Sequence, residues 1–291
     1  VLTPPGKFVF DPSIEYSNTS GNRLVFRGVE IVTGVQVGVI EASDVDRNSV
    51  IGTLAGRIGI TDRLEVEARL PYIYRHDELT TLAQRDETMT RTTELEIANV
   101  GDVELAARYQ MTEGRNGWPI MVGNLRYKSN TGKGPYDIPR DEFGVATKLP
   151  TGSGFWGLEP SLTFLLPSDP AVLFANIGYL YHASDKINKD INGVRIGEVD
   201  PGDSINASLG FGFAVNQNFS FSLGYRHSYI TPTKTQFNGL WEESDDLQAG
   251  SVQMGLSYRF NERNTVNTSF EFGVTEDAPD ARIVFRMPFS N

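Results

Sequence analysis

The sequence contains no cysteine, which excludes a disulfide framework and thiolate chemistry. It has no run of about 18 apolar residues, so no segment reads as a transmembrane helix. Histidine is scarce, and His76, His182 and His227 show no spacing that resembles a metal site. Basic charge is in deficit. With 26 Lys+Arg against 37 Asp+Glu, the net charge of −11 argues against nucleic acid, which calls for a basic stripe. No Gly-rich phosphate loop follows a strand and opens a helix. No export signal is visible either; the opening V-L-T-P-P-G reads as a mature or trimmed form.

What the chain does have is a strand pattern. Gly is abundant at 29 of 291 residues and aromatics reach 11%, which suits strands joined by tight turns. The mean hydropathy of −0.28 looks soluble. A membrane barrel escapes that test, because its water-facing residues dilute its lipid-facing ones. From Ser204 to Val215 the chain reads S-I-N-A-S-L-G-F-G-F-A-V. Ile205, Ala207, Leu209, Phe211, Phe213 and Val215 share one face, and Ser204, Asn206, Ser208, Gly210, Gly212 and Ala214 the other. A tilted strand needs about 9–11 residues to cross a membrane, whereas an ordinary strand averages about 5–6.

Short turns and long polar stretches alternate along the chain. Short breaks fall at 60–63, 112–117, 167–170, 216–218 and 261–264. Long stretches fall at 18–47, 76–98, 130–153, 184–202 and 232–247, with a short outer connection at 276–280. Five periplasmic turns and six outer connections define twelve strands with both termini in the periplasm. They are expected near 7–17, 48–60, 63–75, 100–111, 118–129, 154–166, 171–183, 203–215, 218–231, 248–260, 264–275 and 281–289. The fold class is therefore all-β, a twelve-stranded antiparallel outer-membrane barrel over residues 1–291. Treating 18–47 as one outer loop fixes that count; V-E-I-V-T-G-V-Q-V-G-V-I within it reads as a hairpin or an inward fold. Trp118, Trp156, Tyr72, Tyr179, Tyr181 and Tyr258 are placed to form interfacial girdles.

Alternation also sorts the charges. Glu65, Glu67, Arg69, Arg75, Glu104, Arg108, Arg126, Arg226, Arg259, Glu271, Arg282 and Arg286 fall on the pore-lining side. So do Lys7, Asp11, Glu15, Arg57, Asp102, Lys128 and Glu159. They could sort solutes by charge. The similar number of both signs favours a network that braces the wall through cross-strand pairs. One cluster leans the other way: Arg226, Arg259, Arg282 and Arg286, with Glu271 as the only nearby acid, suggest a local basic wall. Acidic residues at Asp77, Glu78, Asp86, Glu87, Glu94 and Glu96, and at Glu242, Glu243, Asp245 and Asp246, are assigned to outer loops. Ordinary solvation of surface loops is favoured there over cation bridging to lipopolysaccharide. K-L-P-T-G-S-G at 148–154 either folds into the mouth or simply turns the chain into the next strand.

No catalytic set stands out, and neither a cofactor nor a metal is expected. A barrel lipid hydrolase needs Ser, His and a polar orienter together. His227 and Ser228 are adjacent, so on a strand they point to opposite faces.

The segments 2–17, 22–31 and 38–47, with the continuation I-T-D-R-L-E-V-E-A-R-L-P-Y-I-Y-R at 60–75, resemble the barrel domain of the Fap functional-amyloid secretion channel family of Pseudomonas-type bacteria. Residues 60–75 also resemble, more loosely, small uptake channels linked to phenol and hydrocarbon degradation. The closing strand R-I-V-F-R-M-P-F is similar to the assembly signal of bacterial outer-membrane barrels, although Pro288 interrupts it. The Fap resemblance implies a homotrimer in a Gram-negative outer membrane that exports unfolded amyloid subunits. It also implies an upstream coiled coil and helical plug. The alternative is a passive uptake channel for small organic or aromatic solutes.

Overall fold

The computed structural model describes residues 2–27, 39–82, 90–115, 117–140, 146–191, 193–261 and 264–290. Its strands are β1 (Phe8–Arg27), β2 (Val39–Thr61), β3 (Leu64–Leu82), β4 (Thr90–Val100), β5 (Glu104–Gln110), β6 (Ile120–Lys128), β7 (Gly157–Ser168), β8 (Ala171–His182) and β9 (Asp185–Ile191). They continue as β10 (Val194–Asp200), β11 (Ser204–Ala214), β12 (Phe219–Ile230), β13 (Lys234–Phe237), β14 (Leu240–Glu243), β15 (Leu247–Arg259), β16 (Thr265–Gly273), β17 (Ala281–Arg286) and β18 (Phe289–Ser290).

Fourteen of these form one antiparallel sheet that closes on itself where β1 pairs with β17, from Ser13↔Arg286 to Asn18↔Ala281. Two staves of the barrel come in pieces. Both β4 and β5 pair with β3, either side of a break at residues 101–103. Pro288 lacks an N–H and separates β17 from β18. Fourteen pieces thus make twelve staves, at the twelve places the alternation indicates. Closure leaves no open edge, so nearly every backbone group can pair within the wall, as a bilayer demands.

The two faces differ as the period-two pattern requires. Leu54, Leu70, Leu105, Ile177, Leu209 and Phe285 lie on the outside and are exposed. Such a wide apolar surface is a lipid belt. Aromatic side chains edge it. Tyr127, Trp156 and Tyr181 form a row near the outer end, with ring centroids 6.3 and 6.1 Å apart. Tyr258 packs edge-on against Phe260 at 4.8 Å near a periplasmic turn, and Trp118 is exposed beside another.

Beyond the belt the structure departs from the loops expected. Residues 18–27 and 39–47 are not loop: β1 and β2 stay paired out to Arg27↔Val39. Most of the hairpin-or-inward-fold segment lies outside the described residues. Residues 76–82 and 90–98 likewise extend β3 and β4, which pair to Leu82↔Thr90. Hydrophobic alternation stops where lipid stops, but backbone pairing continues into water. The stretches 184–202 and 232–247 are ordered too. They supply β9, β10, β13 and β14, a separate four-stranded sheet. Its Ile196 and Val199 pack with Tyr136 and Phe155 into a buried apolar cluster.

Candidate functional site

The barrel interior is the candidate site, and it has two unlike halves. One half carries ion pairs in an unbroken zigzag across β3, β5, β6 and β7. Glu65 and Glu67 are buried, and both accept hydrogen bonds from Arg108, at 2.7 and 2.9 Å. Arg69 contacts Glu67 and reaches Glu104 at 3.7 Å. Arg126 joins Glu104 to Glu159, at 2.6 Å to each. Asn206 on β11 then donates to Glu159 at 3.3 Å. The strand register explains the pattern, because Glu65↔Arg108 and Arg126↔Glu159 are direct cross-strand partners.

A second ladder spans the closure. Arg282 bonds Glu15 at 2.7 Å and approaches Glu271 at 3.6 Å. Arg286 contacts Asp11, which Arg57 also approaches at 3.9 Å. Arg282 and Arg286 therefore do not form a bare basic wall: closing the barrel brings them two acids from β1. Asp77 differs from its outer-loop assignment as well. It is buried on the inward face and held by Arg75 and Arg47.

The other half, formed by β8, β11, β12 and β15, is small and mostly uncharged. Gly210 pairs with Gly224, Gly212 with Ser222, and Ser208 with Arg226. The Phe174 side chain lies across this shelf. A Cβ added at Gly210 would sit 2.6 Å from its ring and 2.5 Å from the Leu223 carbonyl oxygen, so only glycine fits there. Arg226 and Arg259 are exposed and take part in no ion pair among the described residues. Asn206 accepts from Ser228, whereas His227 faces the other way and meets the Tyr225 hydroxyl at 3.1 Å. The two side chains are on opposite faces of β12, as expected of neighbours in a strand.

Two chain segments narrow the interior. At the periplasmic end residues 2–7 turn back over β2. The Gly6 amide donates to Gly59 O at 2.8 Å, and the Thr3 amide donates to Glu65 at 2.8 Å. A side chain at Gly59 would lie 2.2 Å from the Thr3 and Pro4 carbonyl oxygens. Near the outer end, the segment between β6 and β7 folds inward. Leu149, Thr151, Ser153 and Phe155 are buried, so of the two readings of 148–154 the inward one holds. Asp102, at the break between β4 and β5, is the anchor. It receives the Gly132 amide at 2.9 Å, the Ser153 amide at 3.0 Å and Lys128 at 2.9 Å. Sequence reasoning placed Asp102 among the interior charges but could not give it this task.

A cavity of about 370 Å³ is lined by Leu2, Thr3, Arg57, Glu65, Arg108, Val122, Thr163 and Leu165. A smaller pocket of about 140 Å³ is lined by Phe174, Ser222, Gly224, Gln253, Met254, Gly255, Ser269, Phe270, Glu271, Arg282 and Val284.

Residues 136–282 match the family described as "Putative MetA-pathway of phenol degradation". The chain belongs to this family. Among solved structures, an outer-membrane channel from Pseudomonas putida F1 is similar over 100% of this chain and 97% of its own, with a TM-score of 0.66 at 16% identity. The translocator domain of the autotransporter NalP from Neisseria meningitidis is similar over 99% of this chain and 88% of its own, with a TM-score of 0.52 at 9% identity. The transport unit of the autotransporter AIDA-I from Escherichia coli covers 97% and 88% respectively, with a TM-score of 0.50 at 11% identity. These are transport proteins rather than enzymes, and the shared fold is the barrel of the Gram-negative outer membrane. The family match overturns the Fap resemblance read from residues 2–75. Export of amyloid subunits falls with it, and the homotrimer and upstream plug lose their support.

Proposed function

We propose that the protein is a passive outer-membrane uptake channel for small organic solutes, in particular single-ring aromatics. The observation that carries this reading is membership of a family described by phenol degradation, over residues 136–282. The geometry supports it. Interior spaces of about 370 and 140 Å³ match ligand pockets, which start near 300 Å³, and the cavity of about 150 Å³ known to hold benzene. Phe174 gives an aromatic ring apolar contact beside the Ser222 hydroxyl.

In this reading the two halves divide the work. The ion-pair ladders keep the wall rigid, with the named acids and bases as pore lining whose charges largely cancel. Solute moves along the smooth half, past Gly210, Ser222, Gly224 and Gly255. No step requires catalysis.

Deletion of the gene in a strain that grows on phenol tests the proposal. Growth at limiting phenol should slow, and plasmid-borne protein should restore it. Unchanged phenol uptake across the outer membrane of the deletion strain would overturn it.

A further inference from the structure

Phe174 is out of place in this barrel. It lies on the inward face of β8, opposite Gly210. On other staves Phe211, Tyr225, Tyr258, Phe272 and Phe285 turn outward and are exposed. Among the described residues no other stave carries Phe, Tyr or Trp on its inward face. The lipid belt accounts for the outward rings but not for this one. Glycines clear the space around it. A Cβ at Gly210 would lie 2.6 Å from the ring and one at Gly224 3.4 Å from it. Gly255, on the next strand, continues the bare floor, and the ring borders the pocket of about 140 Å³ above it.

The same pocket presents a carboxylate. Glu271 accepts from Ser251 at Oε1 and from Gln253 at Oε2, 3.3 Å away, and Oε2 is 3.6 Å from Arg282. A carboxylate has about four acceptor sites, so it can take a further donor. Arg282 also lines the pocket and offsets the charge of Glu271, which leaves little net field for an ion of either sign. The volume is close to that of a cavity of about 150 Å³ that holds benzene. One ring face, one acceptor, balanced charge and room for a single ring thus occur together.

We propose that this pocket sets the selectivity of the channel: it takes uncharged single rings that carry a hydroxyl. Phe174 contacts the ring, stacked or edge-on, over the Gly210–Gly224 floor. Glu271 accepts the hydroxyl in a charge-assisted hydrogen bond. This rests on the uptake reading above and narrows it, from single-ring aromatics at large to phenols over ring hydrocarbons and ethers.

The test is a fluorine NMR titration of purified protein in detergent at pH 7, with empty micelles as the blank. The probes are 4-fluorophenol, uncharged at this pH, 4-fluoroanisole, which has the ring without the donor, and 4-fluorocyclohexanol, which has the donor without the aromatic ring. Wild-type protein should bind 4-fluorophenol saturably, about tenfold more tightly than 4-fluoroanisole and about threefold more tightly than 4-fluorocyclohexanol. Glu271→Gln leaves Ser251 and Gln253 an acceptor. It should weaken 4-fluorophenol about fivefold and leave 4-fluoroanisole within about twofold. Phe174→Leu should weaken both arenes about threefold and leave 4-fluorocyclohexanol within about twofold. Either variant decides the matter if the other does not fold. No saturable binding of 4-fluorophenol, a Glu271→Gln effect equal on phenol and ether, or a Phe174→Leu effect equal on arene and cyclohexanol would overturn the proposal. The deletion strain separates this from the wider reading. Slowed phenol uptake without saturable binding removes the pocket and keeps the uptake channel, whereas binding with unchanged uptake supports the pocket and removes the channel.

Discussion

The two halves of the barrel interior solve the same structural problem with opposite chemistry. Across β3, β5, β6 and β7, buried carboxylates sit between guanidiniums in a ladder with Arg108–Glu65 at 2.7 Å and Arg126–Glu104 at 2.6 Å. Across β8, β11, β12 and β15 the wall is mostly Gly, Ser and Asn, with the Phe174 ring so near that a Cβ at Gly210 would strike it. The first half is held by pairs that must stay complete. The second packs its small residues beneath the Phe174 ring and borders the smaller pocket. The larger cavity lies against the braced strands and the smaller against the smooth ones, so the contrast between them is one of chemistry.

The strongest way to break this contrast is to remove one rung. Glu67→Leu leaves Arg108 with Glu65 alone and strips Arg69 of its nearest partner. Breaking a buried pair costs about 3–5 kcal/mol. Heat-modifiable migration in detergent should therefore be lost at a clearly lower temperature. Ser222→Ala on the smooth half should change stability by no more than about 0.5 kcal/mol in the same assay.

Overpacking tests the other half. Gly210→Val should cost about 1–3 kcal/mol, because its side chain meets the Leu223 carbonyl and the Phe174 ring. The control is Gly52→Ala on β2, where nothing lies within 4 Å. Loss of stability at both sites alike, measured by denaturant unfolding in detergent, would erase the distinction.

A similar effect on stability, about 1–3 kcal/mol, is expected from Asp102→Ala, which removes the acceptor shared by Gly132, Ser153 and Lys128. Its main readout is single-channel conductance. The inward segment between β6 and β7 should come loose and conductance should rise. Unchanged conductance would mean that the segment does not narrow the path.

Much of the fold was legible because a lipid belt enforces alternation residue by residue. Leu209 and Phe285 are exposed on one face while their neighbours turn inward. Other features were hidden for identifiable reasons. The outer extensions of β1 to β4 lie beyond the lipid belt, so no lipid enforces a hydrophobic alternation there. The anchor at Asp102 joins residues 30 and 51 positions away, which spacing cannot show. Arg282 looked unpaired because Glu15, its partner, is 267 residues distant and is brought beside it only by barrel closure. The family was misread for a related reason. The likeness to amyloid secretion channels lay in residues 2–75, whereas the family match spans 136–282.

The central claim is that solute runs along the smooth half. Phenol flux through purified protein in liposomes tests it most directly, with one tryptophan placed on each wall. Ser222→Trp should cut phenol flux by about tenfold, while Thr53→Trp, on β2 of the braced half, should leave it within about twofold. Equal losses at the two positions, or a greater loss at Thr53, would contradict the account.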